Sequence, residues 1–127
     1  MNYATKPSFN IDIVSEVESF PKIGETIHSL STNFYAGGKG SNQATAAAKV
    51  SNNVHFTVKI GDDEFGEKAK NYLASTEIDS FTILGDNKYP TGNAVIIVEK
   101  GSGENVITID LGANLKISKE ELANEFS

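Results

Sequence analysis

GGKGSNQATAAAKV, residues 37–50, is the stretch on which the reading of this chain turns. Gly37, Gly38 and Gly40 surround Lys39, and an alanine-rich helical pattern follows at once, predicted from about Ser41 to Val50. Glycine carries no Cβ, so such a backbone can approach a ligand closely. A helix N-terminus adds unpaired N–H groups and a partial positive charge, and Lys39 adds a full one. Asn42 and Gln43 fall in the first helical turn and could reach the same ligand. This arrangement predicts a site for a polar, oxygen-rich small molecule; the alternative is a tight turn with a solvated lysine. Two nucleotide readings fail on spacing. A phosphate loop needs G-x-x-x-x-G-K-[ST], but Lys39 is followed by Gly40. The pattern G-x-G-x-x-G needs glycine where Gln43 stands, and GSGENV at 101–106 belongs to a hairpin, not to a helix start.

On the N-terminal side, residues 1–9 read as polar and irregular. Ile11, Ile13 and Val17 in IDIVSEV are spaced for a strand, FPKIGET at 20–26 is a turn, and a second strand is predicted over about 26–35. On the C-terminal side, VHFTVKI at 54–60 alternates: Val54, Phe56, Val58 and Ile60 share one face, His55, Thr57 and Lys59 the other. His55 reads as a half-exposed strand residue. GDDEFGEKAKNYLAS opens with acids suited to a helix N-terminus, and Phe65, Ala69 and Leu73 form a stripe to be buried. FTIL at 81–84 is a short strand. NAVIIVE and NVITID flank KGSG as a hairpin, and AVIIV is apolar on both faces, which predicts cover for both. SKEELANEF opens a helix with Ser118 and Glu121 at capping-box spacing. The sequence thus predicts an α/β layer with a separate β flap.

The length of 127 residues suits one domain, and 39% hydrophobic residues suffice for a packed core. A net charge of -6 argues against nucleic acid as partner. The chain has no cysteine, and its two histidines, His28 and His55, are not spaced as metal ligands. No apolar run reaches membrane-spanning length and the first residues lack a signal-peptide segment, so no membrane association and a cytoplasmic setting are the expectations.

Several segments together resemble the ribokinase-like (PfkB-type) carbohydrate kinase family. GGKGSNQATAAAKV resembles its GGKGANQAVAAARLG signature, FPKIGET its P-x-x-G-E-T, and KIGDDEFGE its V-G-D-D-x-F-G. PTGNAVIIVEKGSGENVI resembles T-G-x-A-x-I-x-V-x-x-x-G-E-N, LGAN resembles x-G-A-N, and SFNID at 8–12 resembles the G-S-x-N-x-D end of the first strand. The likeness runs from about Ser8 to Glu121 and is closest to the ribokinase branch. It implies the N-terminal part of a three-layer α/β fold with a β-sheet lid. The lid would take segments about 10–36 and 91–110, and the α/β part about 37–90 and 111–127. By the same resemblance, Asn10, Asp12, Gly38, Lys39, Gly40, Ser41 and Asn42 are the substrate-binding residues, for a pentose-type sugar, and the lid joins two copies in a homodimer.

Two departures stand beside this likeness. MNYATKP, with Pro7 in place of a glycine, replaces the apolar run of the family's first strand. The A-A-G-D base motif and the ATP site, which the family carries in its C-terminal half, have no counterpart here; DLGAN at 110–114 matches the G-A-N motif instead. No catalytic residue and no metal site are expected in this chain, and ATP and Mg²⁺ are expected only for the full-length form. Two readings follow: a portion of a ribokinase-type kinase, inactive alone, or a non-catalytic truncated remnant acting in lid-mediated dimerisation or sugar binding.

Overall fold

In the computed structural model, which describes the backbone of residues 3–4, 8–51 and 54–126, the strands divide between two sheets. One is parallel: β1 (Tyr3–Ala4), β4 (Val54–Gly61) and β5 (Ser80–Asp86) lie in the order β1-β4-β5. The other contains β2 (Asn10–Val17), β3 (Ser31–Gly37), β6 (Asn93–Glu99) and β7 (Asn105–Asp110) in the order β3-β2-β6-β7. Its central pair, β2 and β6, is parallel, while both outer pairs are antiparallel. Helices α1 (Lys39–Ala48) and α2 (Glu64–Ser75) flank β4, and a 3-10 turn at Gly112–Lys116 leads into α3 (Lys119–Phe126).

The core forms where the apolar stripes of α1, α2 and β4 meet. Val54, Phe56, Val58 and Ile60 pack with Ala44, Ala69 and Leu73, and Phe9 and Ile11 join them from the start of the second sheet. Each fully buried side chain of this size contributes about 1.5–3 kcal/mol. The opposite face of β4 departs from the alternation read in the sequence. Thr57 and Lys59 are buried, because a parallel strand between two neighbours is covered on both sides. Here the 3-10 turn lies against it. Lys59 Nζ is held at 2.9 Å from both the Lys116 carbonyl and Glu121 Oε1, so its charge is not left alone. Glu121 closes the capping box as well: Ser118 N donates to Glu121 Oε1 at 2.9 Å, and Glu121 N donates to Ser118 Oγ at 3.0 Å. The Ser118 amide, then Lys59, hold the Glu121 carboxyl below its ordinary value.

Three further boundaries differ from the sequence expectation. The second strand begins at Ser31 rather than near 26, because β3 pairs only where β2 offers partners, from Glu16 opposite Ser31 to Asn10 opposite Gly37. Helix α1 begins at Lys39, not Ser41, since Gly38 already supplies the non-helical N-cap. Residues 1–9 are not wholly irregular: Tyr3 and Ala4 pair with Val54 and His55. Pro7, which breaks the family pattern, lies outside the described residues. The hairpin forms as read, with Gly103 at φ +72 in its turn. Its apolar cover is incomplete: Val95 is 41% exposed and Val106, Ile107 and Ile109 between 50% and 60%.

Candidate binding site

The start of β2, the end of β3 and the start of α1 meet at one crossing. Asn10 pairs with Gly37, after which Gly38 turns the chain into α1 at φ +98. A Cβ on Gly38 would lie 3.0 Å from the Ser8 carbonyl oxygen and 3.2 Å from Asn10 N, so this position needs glycine for both conformation and space. Ser8, on the crossing segment, takes the amides that open the helix. Gly40 N donates to Ser8 Oγ at 2.7 Å, and Ser41 N donates to the Ser8 carbonyl at 3.0 Å. These two N–H groups, which the sequence suggested for a ligand, are instead capped by a distant serine.

A cavity of about 420 Å³ opens beside this crossing. Its polar lining comes from Ser8, Asn10, Lys39, Gln43 and Asn114, together with the bare backbone of Gly38 and Gly40; Ile109, Leu111 and Leu115 give it an apolar side. Asp12 stands two residues beyond Asn10, on the same face of β2. Its carboxylate lies directly over Gly37, where any Cβ would overlap it. Burial pushes the Asp12 carboxyl above its ordinary value.

Of the residues singled out in the sequence, Asn10, Gly38, Lys39 and Gly40 therefore surround one cavity, with Asp12 adjacent. Ser41 turns inward: it is fully buried beside Ala44, and its Oγ has no hydrogen-bond partner among the described residues. Asn42 is exposed on the outer side of α1. Ser8 and Asn114 were not singled out. The signals existed in SFNID and LGAN, but Phe9 and Asn114 are 105 positions apart, beyond any local periodicity.

A second carboxylate serves a different turn. Asp63 caps α2, its Oδ1 accepting from Gly66 N at 2.8 Å and from Thr91 Oγ1 at 2.7 Å, while its Oδ2 accepts from Thr91 N at 3.0 Å. Burial alone would raise this carboxyl, but the Thr91 and Gly66 bonds bring it below its ordinary value. His55 is half-exposed, with Nδ1 2.5 Å from Ser80 Oγ and Nε2 3.1 Å from Thr82 Oγ1. Among the described residues, no group of three or more potential side-chain ligands could hold a metal ion, and no helix is long and apolar enough to cross a membrane.

Two sheets thus meet at a glycine-bearing strand-to-helix crossing with polar side chains beside it. The match to the family described as "pfkB family carbohydrate kinase" extends over residues 7–127, and the chain belongs to that family. It is 41% identical over 112 residues to the ribokinase of Haemophilus influenzae, covering 88% of this chain and 36% of that one. The structure of ribokinase from Giardia lamblia superposes with a TM-score of 0.80 at 36% identity, covering 93% of this chain and 35% of that chain. The structure of Arabidopsis thaliana ribokinase complexed with ribose and ATP superposes with a TM-score of 0.73 at 36% identity, over 84% of this chain and 35% of that chain. The chain spans about a third of the length of the curated relatives it matches.

Proposed function

We propose that this chain is the sugar-binding and lid-bearing N-terminal portion of a ribokinase-type kinase, whose whole form transfers the γ-phosphoryl group of ATP to a hydroxyl of a ribose-like pentose. One observation carries the reading: Asn10, which lines the 420 Å³ cavity, and Asp12, whose carboxylate lies over Gly37, share a face of β2 beside the Gly37–Gly40 crossing. A carboxylate accepts hydroxyl protons and an amide both donates and accepts, which suits a polyol. Asp12 is partly desolvated, so hydroxyl donors from a sugar would relieve a cost already present. The sheet β3-β2-β6-β7 serves as the lid over the sugar. ATP and Mg²⁺ belong to the remainder of the kinase, with the base that deprotonates the hydroxyl. The relative solved with ribose and ATP supports ribose as the sugar and ATP as the phosphoryl donor in this reading.

Calorimetric titration with D-ribose tests it. The chain is expected to bind ribose and Asp12→Ala to lose that binding; no heat from the wild type would overturn the reading. Incubated with ATP and ribose, the chain alone is expected to transfer no phosphate, and ribose-dependent ADP release scaling with pure chain would refute that.

A second reading, lid-mediated homodimerisation, is favoured by the half-exposed Ile107 and Ile109 on β7. Ile107, Ile96 and Val14 line up in register on one face, an apolar row that a second copy would cover. Sedimentation at tens of micromolar is expected to give a dimer that Ile107→Asp dissociates. A monomeric wild type sinks the idea.

A further inference from the structure

The side chain of Asn114 is held by three backbone groups whose polarity is fixed, and it also meets the side chain of Asn10. Phe9 N can only donate, and it lies 2.8 Å from one end of the Asn114 amide, which must therefore be Oδ1. The other end is then Nδ2. It lies 2.8 Å from the Phe9 carbonyl, 2.9 Å from the Leu111 carbonyl and 3.1 Å from the side chain of Asn10. Whatever faces an NH₂ group must accept, so Asn10 presents Oδ1 to Asn114. Gly92 makes room for this contact: a Cβ there would overlap both Asn114 Nδ2 and Asn10 Oδ1. Asn10 lines the cavity beside the Gly38–Gly40 turn, and its Nδ2 has no hydrogen-bond partner among the described residues.

We propose that Asn114 is a positioning residue that fixes the rotation of the Asn10 amide, so that Asn10 offers the cavity a donor and not an acceptor. The backbone of Phe9 and Leu111 sets Asn114, and Asn114 sets Asn10. With Asp12 as acceptor nearby, the site then reads a hydroxyl-bearing ligand by polarity. One ligand oxygen accepts from Asn10 Nδ2, and a hydroxyl donates to Asp12. The proposal rests on the sugar-site reading for its consequence but not for its geometry.

The test uses the full chain, labelled with ¹⁵N, and follows side-chain amide exchange by NMR before any ligand is added. The Asn114 Nδ2 protons are expected to be protected, and those of Asn10 to exchange about tenfold faster or more. In Asn114→Asp, one carboxylate oxygen still accepts from Phe9 N while the other opposes the fixed carbonyls of Phe9 and Leu111 and also Asn10 Oδ1, the only one of the three that can turn. The Asn10 amide should then turn over and its Nδ2 protons become protected. Protected Asn10 protons in the wild type, or no change in Asn114→Asp, would overturn the proposal; should that variant fail to fold, the wild-type pattern alone decides.

D-Ribose titration supplies the consequence. Asn114→Asp is expected to weaken binding about tenfold or more, because it reverses the polarity, and Asn114→Ala less, because Asn10 is merely released. Losses in both variants that track their melting temperatures would reduce Asn114 to a structural clamp. If the wild type binds no ribose, the sugar reading fails while amide exchange still decides the role of Asn114.

Discussion

Asp63 and Asp12 each lie against a glycine-bearing turn beside a strand, and their surroundings treat the two charges oppositely. Asp63 receives three donors from Gly66 and Thr91, and its carboxyl falls below the ordinary value despite burial. Asp12 is desolvated over Gly37 and its carboxyl rises, burial being the sole cause. The protein thus satisfies one carboxylate with its own backbone and hydroxyl donors, and desolvates the other without such donors among the described residues. Hydrogen bonds supplied within the fold favour the charged form; desolvation without them disfavours it. The first is the mark of a structural cap; the second accords with the proposal that Asp12 meets a ligand.

The largest expected effect is on the Asp63 side. Asp63→Ala removes the α2 N-cap and leaves the N–H and Oγ1–H of the fully buried Thr91 without their acceptor. Losing an N-cap and bonds to a charged acceptor should cost about 2–5 kcal/mol, read as a lower urea midpoint at unchanged slope. The pH dependence has a definite sign. Because the folded carboxyl is depressed, its contribution is present above the unfolded value of 3.8 and is lost as pH falls through the folded one. Asp63→Asn should flatten that acid limb, and an unchanged limb would show that Asp63 is not the group responsible.

Asp12 should behave in reverse. Asp12→Ala is expected to weaken ribose binding about 10- to 100-fold, the equivalent of one or two hydrogen bonds to a charged acceptor. Its stability effect should be absent or favourable. The raised folded carboxyl means that stability is full below the unfolded value of 3.8 and falls as pH rises through the folded one. Asp12→Asn should therefore melt higher than the wild type at neutral pH while binding ribose worse. A lower melting temperature for Asp12→Asn would make Asp12 a structural residue like Asp63 and erase the comparison.

How much of this contrast was legible beforehand depends on range. The strand in VHFTVKI, the hairpin at KGSG and the capping box at Ser118 and Glu121 rest on neighbours within a few positions, and all three form, although the strand's polar face is covered instead of alternating with an exposed one. Asn10, Gly38, Lys39 and Gly40, which the motifs singled out, line one cavity. What local pattern could not carry was the partner of each polar group. Lys59 reads as solvent-facing until Glu121 arrives from 62 positions away. The amides of Gly40 and Ser41 read as free until Ser8 crosses them. Ser41 reads as a ligand residue, yet its place in the first turn of α1 puts it in line with Ala44 toward the core. These are tertiary facts, fixed by how the two sheets meet rather than by spacing along the chain.

Glycines sharpen the comparison further. At Gly61 an added Cβ would meet backbone, 2.6 Å from both Thr91 N and the Tyr89 carbonyl oxygen, whereas at Gly37 the nearest atoms it would meet are those of the Asp12 carboxylate. Backbone cannot give way cheaply, so Gly61→Ala should cost about 1–3 kcal/mol of stability. A carboxylate on a flexible side chain can swing aside, so Gly37→Ala should fold nearly normally yet bind ribose about tenfold less well, having displaced the acceptor. Equal melting temperatures with equal ribose affinity would mean that the position of Asp12 over Gly37 is immaterial to binding.

The smallest effect is expected at Lys39, the feature most conspicuous in the sequence. Lys39 is exposed at the start of α1. An exposed ammonium gains little from a neutral sugar beyond one hydrogen bond, because water offers the same bond at nearly the same strength. Lys39→Ala should therefore weaken ribose binding by about threefold, well below the loss at Asp12. Salt separates the two possible roles of the charge. Screening over about 10 Å at 0.1 M would erase attraction to an anion but leaves a hydrogen bond to a neutral hydroxyl intact. Ribose affinity should therefore be insensitive to added salt in both the wild type and Lys39→Ala. Equal losses at Lys39 and Asp12, or a steep salt dependence, would reverse the assignment. The cation at the helix start would then hold the ligand, and the desolvated carboxylate would be incidental.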